Sequence, residues 1–168
     1  MDLINLFGWS EVILRLSSAV LIGSVLGINR ELRGKPAGLR THSLVSLGAA
    51  LLTLGIMGIY PALDGEVNAN HADAVSRVVQ GIVTGVGFIG AGVIIRDSTG
   101  TRVHGLTTAA TIWISAALGI LCGAGVWPAA LVGTALTLLV LVFGGPFEKY
   151  ISGRFPKPED KSEGPKDS

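Results

Sequence analysis

Charge is scarce in this chain. Asp, Glu, Lys and Arg make up 15% of its 168 residues, against about 25% in ordinary globular proteins. The mean hydropathy is +0.58, and 24 residues are glycine. A water-soluble domain needs a charged surface, so this composition favours a chain whose solvent is lipid. The net charge of +1 gives no overall bias toward nucleic acid, and we predict no nucleic-acid partner.

Cysteine and catalytic motifs are also scarce. Cys122 is the only cysteine, so the sequence offers no intramolecular disulfide and no CxxC spacing. Nucleophile-elbow, zinc-protease and P-loop motifs are missing. The run Gly85–Gly90 spells GxGxxG, but it lies inside an apolar segment with no strand before it. We therefore expect no enzyme, no cofactor and no metal site.

Long apolar stretches are present instead. Each is near the ~20 residues that an α-helix needs to cross hydrocarbon. The stretches are Val12–Ile28, Thr41–Tyr60, Val75–Ile95, Leu106–Cys122 and Val126–Phe143. The segment Met1–Ser10 contains no Lys or Arg, which argues against a cleaved signal peptide and predicts that the first helix is retained. The sequence predicts an all-α membrane protein with about five transmembrane helices.

Basic residues alternate between the two sides of these helices. Eleven of the thirteen lie in the first link, the third link and the C-terminal tail, and the second link, Pro61–Ala74, has none. The positive-inside rule then places the N-terminus outside and the C-terminus in the cytoplasm. Residues 1–150 are predicted to form the transmembrane domain, and residues 151–168 a disordered polar tail.

The first four helices resemble a duplication. Helix one ends in Arg30-Glu31, which six residues separate from Gly38, and helix three ends in Arg96-Asp97, which seven residues separate from Gly105. These matches run in the same order along helices one and two and along helices three and four. They predict two parallel-repeat helical hairpins plus an extra C-terminal helix, with a pseudo-two-fold axis along the membrane normal. Chance similarity in a chain rich in Gly, Ala and Leu is the alternative.

Helix three is rich in glycine. Because bare positions let neighbouring helices approach on several sides, we predict that this helix packs at the centre of the bundle. A locally unwound helix whose carbonyls line a cavity is the other reading. The glycines concerned are Gly81, Gly85, Gly87, Gly90 and Gly92.

Small and polar residues recur at helical spacing on two helices. Helix four carries Thr107, Thr111 and Ser115. Helix two carries His42, Ser46, Ala49 and Thr53. Hydroxyls can bond back to their own helix, which makes packing one explanation. Two such stripes at matching places in the repeat favour a shared polar interior.

Two acid–base pairs lie toward the predicted outer surface. Glu11 with Arg15, and Asp73 with Arg77, are each four residues apart, so their charges can meet along one helix face. Charged groups inside a membrane are expensive and commonly functional. Snorkelling anchors are the alternative.

The densest polar cluster is the first link, Asn29–His42. Gly34 and Pro36 predict a bent loop, and Thr41 is a candidate cap for helix two. Topology explains its basic residues but not Glu31. A basic surface with two carboxylates is predicted from this link together with Arg96, Asp97, Arg102 and His104.

Three strings carry a family resemblance. They are KPAGLRTHSLV at 35–45, GVGFIGAGVI at 85–94 and GLTTAATIW at 105–113. In this order they resemble the MgtC/SapB family of bacterial inner-membrane proteins. The resemblance implies a virulence-associated family linked to survival at low magnesium, with charged positions carried over onto Arg30, Glu31, Arg40, His42, Asp73 and Arg77. Many relatives continue into a soluble C-terminal domain, and some carry a cysteine at the position of Ile114.

We expect a non-catalytic regulator of other membrane proteins, with a membrane-protein partner or homo-oligomer in the bilayer. The alternative is a small transporter or channel for Mg²⁺ or another cation. Gly23/Gly27 and Gly119/Gly123 have GxxxG spacing suited to helix contacts. The candidate functional residues are Arg30, Glu31, Arg40, Thr41, His42, Asp73, Arg77, Arg96, Asp97, Thr107, Thr108 and Thr111.

Overall fold

A computed structural model describes residues 3–64, 69–96 and 103–154 of the chain. Its elements in chain order are α1 (Leu3–Leu32), α2 (Leu39–Asp64), α3 (Ala69–Val93), β1 (Ile95–Arg96), β2 (Val103–His104), α4 (Leu106–Ala124) and α5 (Trp127–Arg154). The chain bends within α1 at Gly8, where φ is 68°.

Every helix contains a segment long and apolar enough to cross a membrane. These spans have 19 to 25 residues, which at ~1.5 Å per residue cover the ~30 Å hydrocarbon layer. They are Gly8–Leu32, Leu39–Ile59, His71–Val93, Leu106–Ala124 and Trp127–Phe147. The prediction of an all-α membrane protein with five transmembrane helices is confirmed.

Two helix boundaries differ from the sequence expectation. Helix α3 ends at Val93, short of the predicted Ile95, because residues 95–96 pair antiparallel with residues 103–104 in a short hairpin. Helix α5 continues past Phe143, through Pro146, to Arg154. Its last turns therefore extend into the stretch that was predicted to be a disordered tail. Residues 155–168 lie outside the described residues.

The helix pairing follows the order of the repeat. Helix α1 packs on α2, α3 packs on α4, and α2 crosses α4 between the two hairpins. Helix α4 contacts all four other helices. Two glycines bring it against α2, since a Cβ on Gly119 would overlap the carbonyl oxygen of Ser46, and a Cβ on Gly123 that of Ala50. On α1, Gly23 and Gly27 lie equally close to the backbone of α2.

The prediction that helix three lies at the centre of the bundle is wrong within this chain. Helix α3 packs against α2 and α4, and one face of it is left outside. A Cβ on Gly90 would contact Ala109, whereas the other predicted packing glycines face open space. Those glycines are Gly81, Gly85, Gly87 and Gly92. The helix is continuous from Ala69 to Val93, so it is not locally unwound.

Candidate functional site: a buried polar cluster and the cavity beside it

A buried polar cluster occupies the end of the bundle where α1 ends and where α2 and α4 begin, which we call the basic end. Arg30 comes from the last turn of α1, His42 from the first turn of α2, and Thr108 and Thr111 from the start of α4. These four side chains are between 0% and 4% exposed. Segments far apart in sequence thus place their polar groups together inside the protein.

Hydrogen bonds link the cluster across three helices. Arg30 Nη2 donates to Thr108 Oγ1 at 2.7 Å. His42 Nε2 lies 3.2 Å from Thr111 Oγ1, and His42 Nδ1 lies 2.9 Å from the Gly38 carbonyl oxygen. Farther along α4, the Ser115 hydroxyl donates to the Thr111 carbonyl at 3.0 Å.

The histidine ring is held at both nitrogens. Because the Gly38 carbonyl can only accept, Nδ1 carries a proton and donates to it. The Thr111 hydroxyl also lies 2.9 Å from the Thr108 carbonyl, as its donor. One hydroxyl proton cannot serve both that carbonyl and a neutral Nε2. The protonation of His42 is therefore coupled to the orientation of the Thr111 hydroxyl.

The Arg30 guanidinium is buried without an acidic partner among the described residues. Its Nε is also buried and makes no hydrogen bond in that part of the chain. Buried charges are normally paired and fully hydrogen-bonded, because desolvation is costly. Arg30 is thus a buried cation whose Nε–H group has no acceptor among the described residues.

The acidic residue of the first link has a different role. Glu31 Oε2 accepts a hydrogen bond from the Leu39 backbone N–H at 3.1 Å, at the start of α2. The expectation that Thr41 caps this helix is wrong, because the helix begins two residues earlier and the Glu31 carboxylate takes that place. Arg40 and Thr41 line the open depression above this carboxylate.

A second depression lies between the first link, the start of α4 and residues 140–145 of α5. This basic-end cavity has a volume of about 700 Å³. Its cationic and imidazole lining comes from Arg30, Arg33, Lys35 and His104. The lining residues in the described part of the chain include no Asp or Glu.

The polar stripes of α2 and α4 face each other, with one change of residue. His42, Ser46 and Thr53 are all buried on α2, and Thr111 and Ser115 on α4. The first member on α4 is Thr108, which is buried, whereas Thr107 is exposed and lines the basic-end cavity. The shift by one residue turns Thr107 away from the helix interface.

Both predicted acid–base pairs form, in different surroundings. Arg15 Nε lies 2.8 Å from Glu11 Oε1, and Arg15 Nη1 donates to the Gly123 carbonyl at the end of α4 at 2.9 Å. Arg77 Nε lies 2.9 Å from Asp73 Oδ2, with side-chain exposures of 76% and 64%. The first pair ties α1 to α4, and the second points outward from α3.

The third link is described only in part. Arg96 lies in β1 and pairs through its backbone with Val103. Asp97 and Arg102 lie outside the described residues. In the part that is described, no three His, Cys, Asp or Glu side chains converge on a point where a metal ion would fit.

Sequence reasoning missed two features of the site. One is the Gly123 carbonyl as an acceptor for Arg15, which the free carbonyls of a helix C-terminus could have suggested. The other is the contact between Arg30 and Thr108. The repeat pairs Thr108 with Thr41, but nothing in the sequence fixes the rotation of α4 that brings Thr108 to Arg30.

Comparison with known proteins gives the same assignment as the motifs. Residues 16–150 match the model of the MgtC family. Protein SrpB of Synechococcus elongatus is 45% identical over 139 residues, which cover 79% of this chain and 74% of that protein. No solved structure matches the chain.

Two other relatives are longer than the matched region. Protein MgtC of Salmonella typhimurium strain LT2 is 44% identical over 126 residues, or 75% of this chain and 49% of that protein. YhiD of Escherichia coli K12, provisionally named a magnesium transporter, is 42% identical over 134 residues, or 79% of this chain and 60% of that protein. The match thus spans half to three fifths of these two relatives. Together with the family model, these identities show that the chain is a multi-pass membrane protein of the MgtC family.

Proposed function

We propose that this protein is a non-catalytic regulator of other membrane proteins, acting in the bacterial inner membrane under magnesium limitation or stress. The observation that carries the proposal is the outer face of α3. This face consists of Arg77, Gln80, Gly81, Thr84, Gly85, Phe88 and Gly92, which are all exposed.

The hydrocarbon of a bilayer offers no hydrogen-bond partners to the polar groups of that face. Gln80 lies about 14 Å along α3 from His71, where the span begins, so its amide sits near the middle of a ~30 Å hydrocarbon layer. Within the described residues, Gln80 Nε2 donates to Ser76 Oγ at 3.5 Å, which is a long hydrogen bond. An amide exposed to hydrocarbon costs free energy unless a protein group covers it. A partner helix packed on the glycines would supply such groups.

The packing of α2 against α4 supports regulation over transport. The two polar stripes meet along this contact, and Gly119 and Gly123 hold the helix backbones together. Ser115 and Thr53 bond to the backbone of their own helices, whereas the buried Ser46 hydroxyl has no partner among the described residues. Closely packed helices with mostly satisfied hydroxyls favour a structural polar core over a water-filled path.

The proposed orientation has the N-terminus outside and the C-terminus in the cytoplasm. It rests on the basic end, where Arg30, Arg33 and Lys35 line one cavity. Basic residues near the ends of spans are retained on the cytoplasmic side.

Transport of a small cation is the second candidate function. It is supported by the provisional name of YhiD and by the ion pair of Glu11 and Arg15 within the first span. Transport predicts flux of Mg²⁺ or protons into proteoliposomes that contain this chain alone, lost in Asp73→Ala. Such flux would overturn the regulatory proposal.

A pair of leucine substitutions tests the regulatory role. In Gly85→Leu the side chain fills the outer face of α3, and in the control Gly55→Leu it projects from α2. A Cβ at either position meets no atom within 4 Å, so both variants are expected to fold. We expect Gly85→Leu to fail, and Gly55→Leu to succeed, in restoring growth at limiting magnesium to a strain that lacks the protein.

Two further measurements complete the test. Immunoblotting must find both variants in the membrane at the level of the parent protein. A photoreactive phenylalanine at position 88 is expected to crosslink to another protein in the parent background and not in Gly85→Leu. Normal growth with Gly85→Leu would contradict a role for the outer face of α3.

A further inference from the structure

We propose that the basic-end cavity binds a phosphoryl group, and that its natural occupant is the headgroup of an anionic phospholipid. The inference concerns the space between the first link, the N-terminus of α4 and residues 140–145 of α5. It is independent of the outer face of α3, on which the proposed function rests.

The first turn of α4 brings backbone donors to the edge of the cavity. The first intrahelical bond of this helix runs from the Ala109 N–H to the Gly105 carbonyl at 2.8 Å, so the N–H groups of residues 106–108 have no acceptor within the helix. Gly105, at the N-cap with φ of 89°, has no side chain to accept them. Free N–H groups and the helix dipole favour an anion here.

The second and independent observation is Arg30. Its side chain lines the cavity and is 4% exposed. One guanidinium nitrogen is committed to Thr108, while its Nε has no partner among the described residues. A phosphoryl oxygen in the cavity would supply the negative charge and the acceptor that this buried cation lacks.

Charge at the mouth of the cavity completes the match. Arg33 and Lys35 are exposed and line the opening, and His104 lies across from them. The described residues that line the cavity include no carboxylate, so none of them competes with an anion for these cations. The cluster therefore presents a net positive field to an incoming anion.

The wall formed by α5 favours a lipid over a free ion. Val140 and Leu141 contribute apolar surface, and Gly144 and Gly145 leave room beside it. A phospholipid places its phosphate at the interface and its acyl chains against such apolar helix surface. Basic pockets between transmembrane helices at an interface are typical sites for anionic headgroups.

The test uses two lipids that differ only in the phosphate. Full-length protein in detergent is titrated with phosphatidic acid and with diacylglycerol, and bound lipid is counted by native mass spectrometry. Inorganic phosphate is titrated separately by calorimetry. We expect phosphatidic acid to bind and diacylglycerol to leave the site empty. Phosphate binding as tight as that of the lipid would support the phosphoryl site and overturn the assignment to a headgroup.

Two variants locate the site. Arg33→Ala removes a cation from the mouth, and Arg154→Ala removes an exposed arginine at the end of α5 that does not line the cavity. We expect about fivefold weaker phosphatidic acid binding for Arg33→Ala and parent affinity for Arg154→Ala. Gly145→Leu places a bulky side chain in the cavity, at a position where a Cβ meets nothing within 4 Å, and it should sharply weaken binding. Equal binding of both lipids, or equal losses in both arginine variants, would overturn the proposal.

Discussion

Arg30 and Thr108 connect the two halves of the repeat through a single hydrogen bond. The bond runs between residues 78 positions apart in the chain. On one side is a buried cation, and on the other is a hydroxyl in the first turn of α4. Since the cation has few other acceptors, the free energy of folding depends on this hydroxyl more than on an ordinary threonine.

Two adjacent threonines test that dependence. Thr108→Val keeps the shape of the side chain and leaves Arg30 Nη2 without its acceptor, so we expect a loss of about 1–3 kcal/mol in the free energy of unfolding. Thr107→Val alters an exposed side chain and should change it by less than ~0.5 kcal/mol. Denaturant unfolding in mild detergent, followed by circular dichroism, measures both. Equal effects would show that the Arg30 contact contributes nothing.

Residue-level features were predictable where they are local. The pair of Glu11 and Arg15 follows from four-residue spacing on one helix, which needs no knowledge of the fold. The choice of Thr108 over Thr107 was not predictable, because neighbouring residues differ by about 100° around the axis and only tertiary packing sets the rotation.

At the scale of elements, α4 holds the bundle together, and α3 lies at its edge. The difference does not follow from glycine content, since α3 has more glycine than α4. Glycine permits close approach without specifying which neighbour approaches. Contact of Gly119 with Ser46 shows the approach being used, whereas Gly81 faces open space. The spans themselves were predictable, because hydropathy and length suffice to define them.

Alanine at these two glycines should have opposite effects on stability. Gly119→Ala places a Cβ into the backbone of α2, which pushes the central helices apart and should cost about 1–3 kcal/mol. Gly81→Ala meets no neighbour and gains up to ~1 kcal/mol from helix propensity. Unfolding of the purified proteins in detergent gives the comparison. Tolerance of Gly119→Ala would mean that α2 and α4 can separate freely.

At the scale of the whole molecule, five spans in the described residues predict that α1 begins and α5 ends on opposite sides of the membrane. The first span, Gly8–Leu32, has Ser10 near one end and Lys35 three residues beyond the other, so these two positions are expected on different faces. The alternation of charge predicted which face is which, and this remains a prediction because membrane sidedness is a property of the cell and not of the folded chain.

Cysteine labelling tests the orientation. Ser10→Cys and Lys35→Cys are made in a Cys122→Ala background, and both positions are exposed. In intact spheroplasts we expect a membrane-impermeant maleimide to label position 10 and to spare position 35 until the cells are lysed. The reverse pattern would invert the topology while leaving the fold unchanged.

The contacts of α4 with all the other helices have a consequence for biogenesis. Helices α1 and α2 can pair through Gly23 and Gly27 as soon as both are inserted. The hydrogen bonds of Arg30 and His42 to the threonine hydroxyls of α4 cannot form until that helix has been synthesised, some seventy residues later. A chain halted after α3 therefore lacks the hydroxyl that accepts from Arg30, and its first hairpin leaves that cation without its partner on α4.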